Sequence, residues 1–399
     1  MIKTPGRELY SRIRTLQSRL DSEDVDGTLI VHNVNLFYFS GTVQQAVLFV
    51  PTAGEALLFA RKNPDRIRNE SSLDHVIPVK GIRDLREHMA DFGYGHCEKL
   101  GMELDVLPTN QYFYYKNLLN PDEIVDVWPA IRAVRMIKSE YEIDLLRKAA
   151  VLSDYMMKTA RHFLREGITE VELAAEIEKA ARVRGHQGYI RMRGFNQEIY
   201  WGHLVSGPEA SEPTFINFAT GGRGLSYALP SGSGWRVIKK NEPVIVDLCA
   251  GLNGYNIDQT RTLCLGGLPK RLDKAYHVAR EIGETLEAMI RPGAETGELF
   301  EEAQKVAESH SLGDHFMGYG QQKAGFIGHG IGLELDELPV FVKHNTMPLT
   351  KGMIFALEPK FSFPDAGVVG VEDNFAVTED GSEKLTAGSY DVTVPSAEL

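Results

Sequence analysis

The sequence has little cysteine and no excess of basic residues. Only three cysteines occur among 399 residues, and no two of them form a CxxC pair. A small, odd number of cysteines argues against a disulfide framework and favours a reducing compartment. The formal net charge of −12 argues against general nucleic-acid binding, because contacts with phosphates need a basic surface. We therefore expect no nucleic-acid partner.

Long apolar runs are missing as well. No stretch approaches the ~20 apolar residues of a membrane-spanning helix, and the segment MIKTPGRELYSRI lacks the apolar core of a signal peptide. The Gly-rich run 219–224 lacks the GK[ST] ending of a phosphate-binding loop, and there is no GxSxG elbow of a serine hydrolase. These absences predict a cytoplasmic protein with no membrane partner.

The length of the chain predicts more than one domain, because 399 residues exceed a single typical core. Up to residue 134, short apolar strand patterns alternate with helical ones, which is typical of an α/β domain. From residue 135 a Pro-containing segment leads into a long helical pattern, in which Ser139 and Glu142 have the spacing of a capping box. We therefore place a domain boundary between residues 134 and 135.

Five potential metal ligands lie in the second half of the chain. Two aspartates flank an Asn-Gly turn, two glutamates flank a PDAG turn, and one histidine stands between two glycines. They are Asp247, Asp258, Glu358, Glu372 and His329. Four carboxylates and one imidazole suit a site that holds two hard or borderline divalent cations. One acidic pair alone would be weak evidence for a metal site, because hairpins often carry exposed acidic residues. The two pairs together with the histidine are a much more specific signal.

The first acidic pair has a register that follows from its turn. Asn253-Gly254 predicts a two-residue type I′ hairpin, which places Asp247 opposite Thr260. Asp258 is two residues from Thr260 and therefore lies on the same face as Asp247. The two aspartates become diagonal neighbours, ~7–8 Å apart at the backbone. Their burial without a partner would be costly, and a metal ion would relieve that cost.

The second acidic pair is less tightly specified. A three-residue loop over 364–366, with Gly367 at its exit, would set Glu358 directly opposite Glu372. A bulge in this hairpin is an open alternative. His329 lies between glycines, which permit close approach of neighbouring backbone.

An internal repeat links the two pairs. Segments 165–180 and 291–306 share a basic residue, a following glycine and a Glu-Leu helix pattern, and each precedes strands that carry one acidic pair. A duplicated unit of two helices and a hairpin would place the pairs on facing halves of one site. Chance similarity between two amphipathic helices is the alternative.

These motifs resemble the pita-bread metallopeptidases (peptidase family M24), which include methionine aminopeptidase, Xaa-Pro aminopeptidase, prolidase and creatinase-like relatives. The matching segments are VDLCAGLNGYNIDQTRT, GHGIGLELDE, MIFALEP and VEDNFAVT. The resemblance implies an α+β fold: a C-terminal pita-bread domain with a pseudo-twofold repeat over 135–399, preceded by a smaller α/β creatinase-type domain over 1–134. It also implies a homodimer.

The resemblance implies a role for each ligand. Asp247 would chelate one metal ion, and Asp258 and Glu372 would bridge two. His329 and Glu358 would complete the second site. Metal-activated water would attack the scissile carbonyl, with Glu358 managing its proton. Two divalent ions are therefore expected, manganese foremost, with cobalt, zinc or iron as alternatives.

Three positions depart from the peptidases that the chain resembles. Asp336 and Thr214 stand where those peptidases carry histidines that contact the substrate, and Gly370 stands where arginine is usual. Asp336 is a candidate to accept a hydrogen bond from a cationic group of the substrate. His203 is a candidate for the missing imidazole, with a buried structural role as the alternative. Predicted catalytic residues are Glu358, Asp336 and His203, and predicted substrate-binding residues are Thr214, Asp336 and His203.

The predicted function is metal-dependent hydrolysis of a peptide or amide bond, of the Xaa-Pro aminopeptidase or Xaa-Pro dipeptidase kind, on a small peptide or small-molecule amide. The second possibility is a creatinase-like relative that hydrolyses or lyses a small non-peptide metabolite, of the ectoine hydrolase or dimethylsulfoniopropionate lyase type, because two family histidines are replaced. The third is a non-catalytic binding module, which retention of all five ligands disfavours.

Overall fold

The computed structural model describes residues 2–395. The chain divides into two units, one ending at Arg135 and the other beginning at Met136, next to the predicted boundary. Among the described residues, no helix combines the length and apolar character needed to cross a membrane.

The first unit is built on a mixed sheet with strand order β4-β3-β2-β1-β5-β6. Its elements are α1 (Gly6–Ser22), β1 (Gly27–Ile30), α2 (Asn33–Ser40), β2 (Ala46–Pro51), β3 (Leu57–Ala60), α3 (Pro64–Glu70), β4 (Val76–Pro78), α4 (Leu85–Asp91), β5 (Lys99–Met102), α5 (Thr109–Leu119), β6 (Glu123–Asp126) and α6 (Trp128–Met136). Strand β1 pairs antiparallel with β2 and parallel with β5. The central strands are apolar and buried, as strands covered on both faces are. The predicted α/β domain is confirmed.

The second unit combines two helix pairs with strands that are antiparallel except for the last one, which pairs parallel with its neighbour. Its elements are α7 (Glu140–Phe163), α8 (Glu170–Arg182), β7 (Gly202–Ser206), β8 (Val244–Leu252), β9 (Tyr255–Leu265), α9 (Lys270–Met289), α10 (Thr296–Ser309), β10 (Phe326–Gly330), β11 (Glu337–Val342), β12 (Ile354–Leu357), β13 (Lys360–Phe363), β14 (Gly367–Gly370), β15 (Asp373–Val377), β16 (Ser382–Lys384) and β17 (Thr393–Val394). The α7 helix begins at the predicted capping box, because the Ser139 hydroxyl accepts from the Glu142 N–H at 3.3 Å and the Glu142 carboxylate accepts from the Ser139 N–H at 3.1 Å.

The second unit has two similar halves. Helices α7 and α8 share an apolar cluster with strands β7, β8 and β9, which belong to the sheet β17-β9-β8-β7. Helices α9 and α10 share another with the sheet β11-β10-β12-β15-β16 and the ribbon β13-β14. Each half therefore consists of a helix pair followed by strands that carry one acidic pair. This arrangement confirms the duplication that segments 165–180 and 291–306 predicted, and with it the α+β class.

The first hairpin has the predicted register. Asp247 pairs with Thr260, and Asn253 and Gly254 both have positive φ, 53° and 93°, as a type I′ turn requires. Asp258 pairs with the position two beyond Asp247 on β8, so both aspartates point to one face. The local turn chemistry alone sets this half of the site.

The second hairpin also follows the prediction. Strands β13 and β14 are joined by the three-residue loop 364–366, and β12 and β15 continue the same register, with Leu357 opposite Asp373. Glu358 and Glu372 are the residues that lie between the end of one ladder and the start of the other. They therefore face each other, without an intervening bulge.

Thr260 is one of the residues that connect the two halves. Thr260 of β9 forms an isolated antiparallel bridge with Glu372, in which the Glu372 N–H donates to the Thr260 carbonyl at 3.1 Å. The Thr260 hydroxyl also donates to Glu372 Oε2 at 2.7 Å. Because Thr260 is opposite Asp247 on its other side, this bridge brings the acidic pairs together.

Candidate metal centre

His329 lies on β10, an inner strand of its sheet that is flanked by β11 and β12. The glycines beside it are required by the packing of these strands. A Cβ at Gly328 would lie 2.3 Å from the Ala356 carbonyl oxygen, and one at Gly330 would lie 2.1 Å from that of Leu338. The sequence prediction of close backbone approach around His329 is confirmed.

The hydrogen bonds of His329 determine which nitrogen can bind a metal. Its Nδ1 lies 3.1 Å from the Gly330 carbonyl oxygen and 3.0 Å from that of Leu335. Carbonyl oxygens only accept, so we assign the proton to Nδ1. The Nε2 lone pair then faces Glu358 Oε1 at 3.9 Å and Glu372 Oε1 at 4.0 Å. Metal-ligating histidines are held in this way through the nitrogen that does not bind the ion.

Three of the predicted ligands form a compact group. Asp258, His329 and Glu372 each offer an atom within 4.8 Å of the others, and all three are buried. Glu358 Oε1 and Glu372 Oε1 are also buried and have no hydrogen-bond partner within residues 2–395. Leaving carboxylate oxygens unpaired in the interior is costly. The donor set and these unpaired oxygens therefore fit a divalent cation.

A buried lysine lies at the other side of the same carboxylates. Lys360 Nζ is 2.7 Å from Glu358 Oε2, 2.8 Å from Asp247 Oδ2 and 3.4 Å from Glu372 Oε2. Its side chain is only 2% exposed. Sequence reasoning missed this residue. A signal was present, since a lysine within the apolar run MIFALEPKFSF has to find a charged partner if that run is buried.

Gly370 makes room for this lysine. It lies opposite Lys360 in the β13–β14 ladder, and a Cβ there would come 2.6 Å from Lys360 Cγ. Glycine, in place of the usual arginine, at position 370 therefore leaves the space that the Lys360 side chain occupies.

The carboxylates carry more negative charge than Lys360 neutralises. Burial raises the pKa of Asp258 well above its usual range, and the charges of Glu372 and Asp247 raise it further. Burial also raises the pKa of Glu372, to about 7, although Lys360 opposes this. Burial raises the pKa of Asp247 as well, but attraction to Lys360 prevails and lowers it below its usual value. Repulsion among buried carboxylates is relieved by a bound cation.

Lys360 stays an ammonium in this setting. Burial lowers the pKa of Lys360, but attraction to Asp247, Glu358 and Glu372 prevails and holds it well above the usual value.

His203 is linked to Asp247, a predicted ligand, through the hydroxyl of Thr220. It lies opposite Asp247 on β7, and its Nδ1 is 2.8 Å from the hydroxyl of Thr220, which donates to Asp247 Oδ2 at 3.2 Å. The Ser231 hydroxyl lies 2.8 Å from Nε2. Burial lowers the pKa of His203 to about 4, so the ring is neutral at pH 7. These contacts position Asp247, and a catalytic or substrate-binding role for His203 stays a prediction.

The two remaining predicted residues lie away from the pocket. The pocket over the centre is lined by four of the five predicted ligands and by His203, Lys360 and Phe218, among others. Asp336, whose side chain is 38% exposed, lies 3.5 Å from His329 Nδ1, on the side of the ring that faces away from the glutamates. The Thr214 hydroxyl accepts from the Ile216 N–H at 3.1 Å. Neither is among the residues that line the pocket, and their proposed roles stay predictions.

A buried histidine behind β8 makes the stability of the fold depend on pH. His186 Nε2 donates to the Cys249 carbonyl at 3.1 Å, and its ring stacks on Trp201 at 3.6 Å. Burial lowers the pKa of His186 from 6.5 to about 4. Between these values the unfolded chain binds a proton that the folded chain does not. Stability is therefore expected to fall as the pH drops from about 6.5 to about 4, by about 1–3 kcal/mol for this group.

The test is thermal unfolding of the wild type and His186→Phe, which keeps a ring against Trp201, at pH 7.5 and pH 5. The variant should lose less of its Tm on acidification than the wild type. The exposed His277, replaced by alanine, serves as the control and should follow the wild type. An equal loss in all three proteins would contradict a buried neutral His186.

Both units match known protein families. Residues 144–379 match metallopeptidase family M24, and residues 12–137 match the creatinase/prolidase N-terminal domain. The Xaa-Pro dipeptidase of Pyrococcus furiosus is 27% identical over 380 residues, which cover 95% of this chain and 98% of that protein. The Xaa-Pro dipeptidase of Pyrococcus horikoshii is also 27% identical, with 95% and 97% covered.

Solved structures share the fold. The prolidase from Pyrococcus horikoshii OT3 aligns with a TM-score of 0.80 at 23% identity, over 96% of this chain and 99% of that one. The Xaa-Pro dipeptidase from Bacillus anthracis aligns with a TM-score of 0.82 at 22% identity, again over 96% and 99%. Both similarities extend across the two units.

Proposed function

Because this chain belongs to metallopeptidase family M24, we propose that it hydrolyses the bond between a residue and a following proline in small peptides, as an Xaa-Pro dipeptidase or aminopeptidase. The observation that carries the proposal is the buried group Asp258, His329 and Glu372, with unpaired glutamate oxygens beside it. The names of the relatives that match almost the whole chain support the choice of an Xaa-Pro substrate.

The residues of the centre have separate roles in the proposed hydrolysis. A divalent ion, when bound, polarises the scissile carbonyl and lowers the pKa of the attacking water. Glu358 is held by Lys360 through Oε2 at 2.7 Å, so Oε1, 3.9 Å from His329 Nε2, is the oxygen that would both face the ion and manage the proton of that water. His329 is fixed through Nδ1, so its Nε2 keeps a constant direction. Phe218 contributes an apolar wall to the pocket, suited to a proline ring.

The proposal is tested with dipeptides on the full-length protein, stripped of metal and reloaded with Mn²⁺. Ala-Pro and Leu-Pro should be cleaved about tenfold faster or more than Ala-Ala and Leu-Ala, and a chelator should stop the reaction. Tripeptides of the form Xaa-Pro-Xaa separate an aminopeptidase from a dipeptidase. Bound metal without any peptide turnover would contradict the proposal.

A second candidate function follows from Asp336 and Thr214, which replace histidines of the peptidases that the chain resembles. It is hydrolysis or lysis of a small non-peptide metabolite at the same centre. Bound metal, no dipeptide turnover and activity on small amides would favour it. Absence of bound metal together with absence of turnover on every substrate would instead favour a non-catalytic binding module.

Three finer expectations belong to the same proposal. They are manganese as the native metal, a homodimer and a cytoplasmic location. Metal analysis of protein purified without added metal, analytical ultracentrifugation and cell fractionation test them one by one.

A further inference from the structure

The sequence predicts two divalent ions, but Lys360 changes the number of positions that an ion can take. We propose that the Lys360 ammonium stands in for one of the two ions, so that this chain holds a single divalent ion, beside His329. The inference rests on the proposed function, because it concerns the same centre.

The ammonium uses the donor atoms that a second ion would need. A lysine has three N–H donors, and three carboxylate oxygens surround Nζ: Glu358 Oε2 at 2.7 Å, Asp247 Oδ2 at 2.8 Å and Glu372 Oε2 at 3.4 Å. A dication at this place would have to share the same oxygens with a positive charge in its immediate vicinity. In a buried, low-dielectric setting such repulsion is strong.

The lysine is built into the site. Its backbone belongs to β13 and pairs with Gly370, and its stem crosses that glycine, where a Cβ would come 2.6 Å from Lys360 Cγ. The side chain is 2% exposed. Moving Nζ away from the carboxylates would therefore require the buried chain to repack. The ammonium would also lose all three of its hydrogen-bond partners.

The remaining oxygens form a separate set. Glu358 and Glu372 each give Oε2 to the lysine, while their Oε1 atoms are unpaired within residues 2–395 and lie 3.9 and 4.0 Å from His329 Nε2. Asp258 joins this second set, since it groups with His329 and Glu372. Each glutamate thus contacts the Lys360 ammonium through Oε2 and leaves Oε1 for one exchangeable divalent ion.

The test is a metal count on the full-length protein, stripped and reloaded with excess Mn²⁺, by mass spectrometry after removal of free metal. The wild type should hold about one ion per chain. Lys360→Ala removes the ammonium and frees its space, so the count should rise towards two. Lys360→Met keeps much of the volume without the charge, so its count should also rise above one, and a count that stays at one in Lys360→Met but rises in Lys360→Ala would show that volume, not charge, excludes the second ion. Lys138→Met is the matched control, because Lys138 is a buried lysine whose partner, Glu337 at 3.0 Å, is not a ligand.

Each possible metal count tests either the single-ion inference or the proposed function. Two ions per chain in the wild type would overturn the single-ion inference and leave the proposed function standing. No ion in the wild type would contradict the proposed function itself. A folded Lys360→Ala variant that still holds one ion would show that the lysine does not exclude the second.

If Lys360→Ala does not fold, the electron paramagnetic resonance spectrum of the Mn²⁺-loaded wild type decides. The six-line signal of an isolated ion supports the inference, and the multiline signal of a coupled pair overturns it.

Discussion

Replacement of His329 by alanine is expected to lower kcat/KM on the best Xaa-Pro dipeptide by about three orders of magnitude or more, equivalent to about 4 kcal/mol of transition-state stabilisation. The imidazole is the nitrogen donor of the group with Asp258 and Glu372, and its loss leaves only carboxylates around the ion. The measurement pairs steady-state kinetics with a metal titration. Metal affinity should fall together with activity.

A matched variant separates this effect from general damage. His277 is a histidine on the surface of α9, with its side chain 72% exposed, and His277→Ala should keep both metal and activity. Circular dichroism should show that His329→Ala is folded. If folded His329→Ala bound metal and cleaved dipeptides as the wild type does, His329 would not be a ligand.

Replacement of Arg261 by leucine is expected to have the largest effect on stability. This guanidinium is 2% exposed and donates to the carbonyl oxygens of Thr260 and Glu372 at 2.8 Å each, and to Asp373 at 2.7 Å. It also donates to the Gly388 carbonyl, so its loss leaves a buried carboxylate and three buried carbonyls without this partner. Removing one member of a buried ion pair costs about 3–5 kcal/mol, so the Tm should drop by at least about 6 °C.

The control for this prediction is Arg271→Leu. Arg271 pairs with Asp365 at a similar distance, 2.6 Å, but is 50% exposed. Exposed ion pairs contribute about 0–1 kcal/mol, so this Tm should barely change. Scanning calorimetry compares the two variants. Similar shifts in both would contradict the special role of Arg261 at the junction between the halves.

The parts of the site that could be predicted are those set by local turn chemistry. Asn253-Gly254 fixes a hairpin register by itself, and that register decides which side chains share a face with Asp247. The three-residue loop after β13 does the same for Glu358 and Glu372. In both cases the relevant contacts lie within a single hairpin, so the sequence pattern around the turn carries the information.

The parts that could not be predicted depend on contacts between distant segments. Thr260 and Glu372 are 112 positions apart, and no local signal pairs them. Lys360 was missed because its role depends on two residues that are distant in sequence. Gly370 lies opposite it in the β13–β14 ladder, and Asp247 contacts it from the other half. The partners of His203, Thr220 and Ser231, come from an irregular segment without a periodic pattern. Likewise, only the folded chain shows that Asp336 contacts the back of the His329 ring.

The Thr260 bridge also predicts an order of events during folding. Asp258 is supplied by the first half of the second unit, and His329 and Glu372 by the other half, so the group is complete only after Thr260 has met Glu372. Contacts between such distant segments form late, because a long loop must close first. Metal uptake should therefore follow the docking of the halves. During refolding, the rate at which bound Mn²⁺ accumulates will report on that docking step.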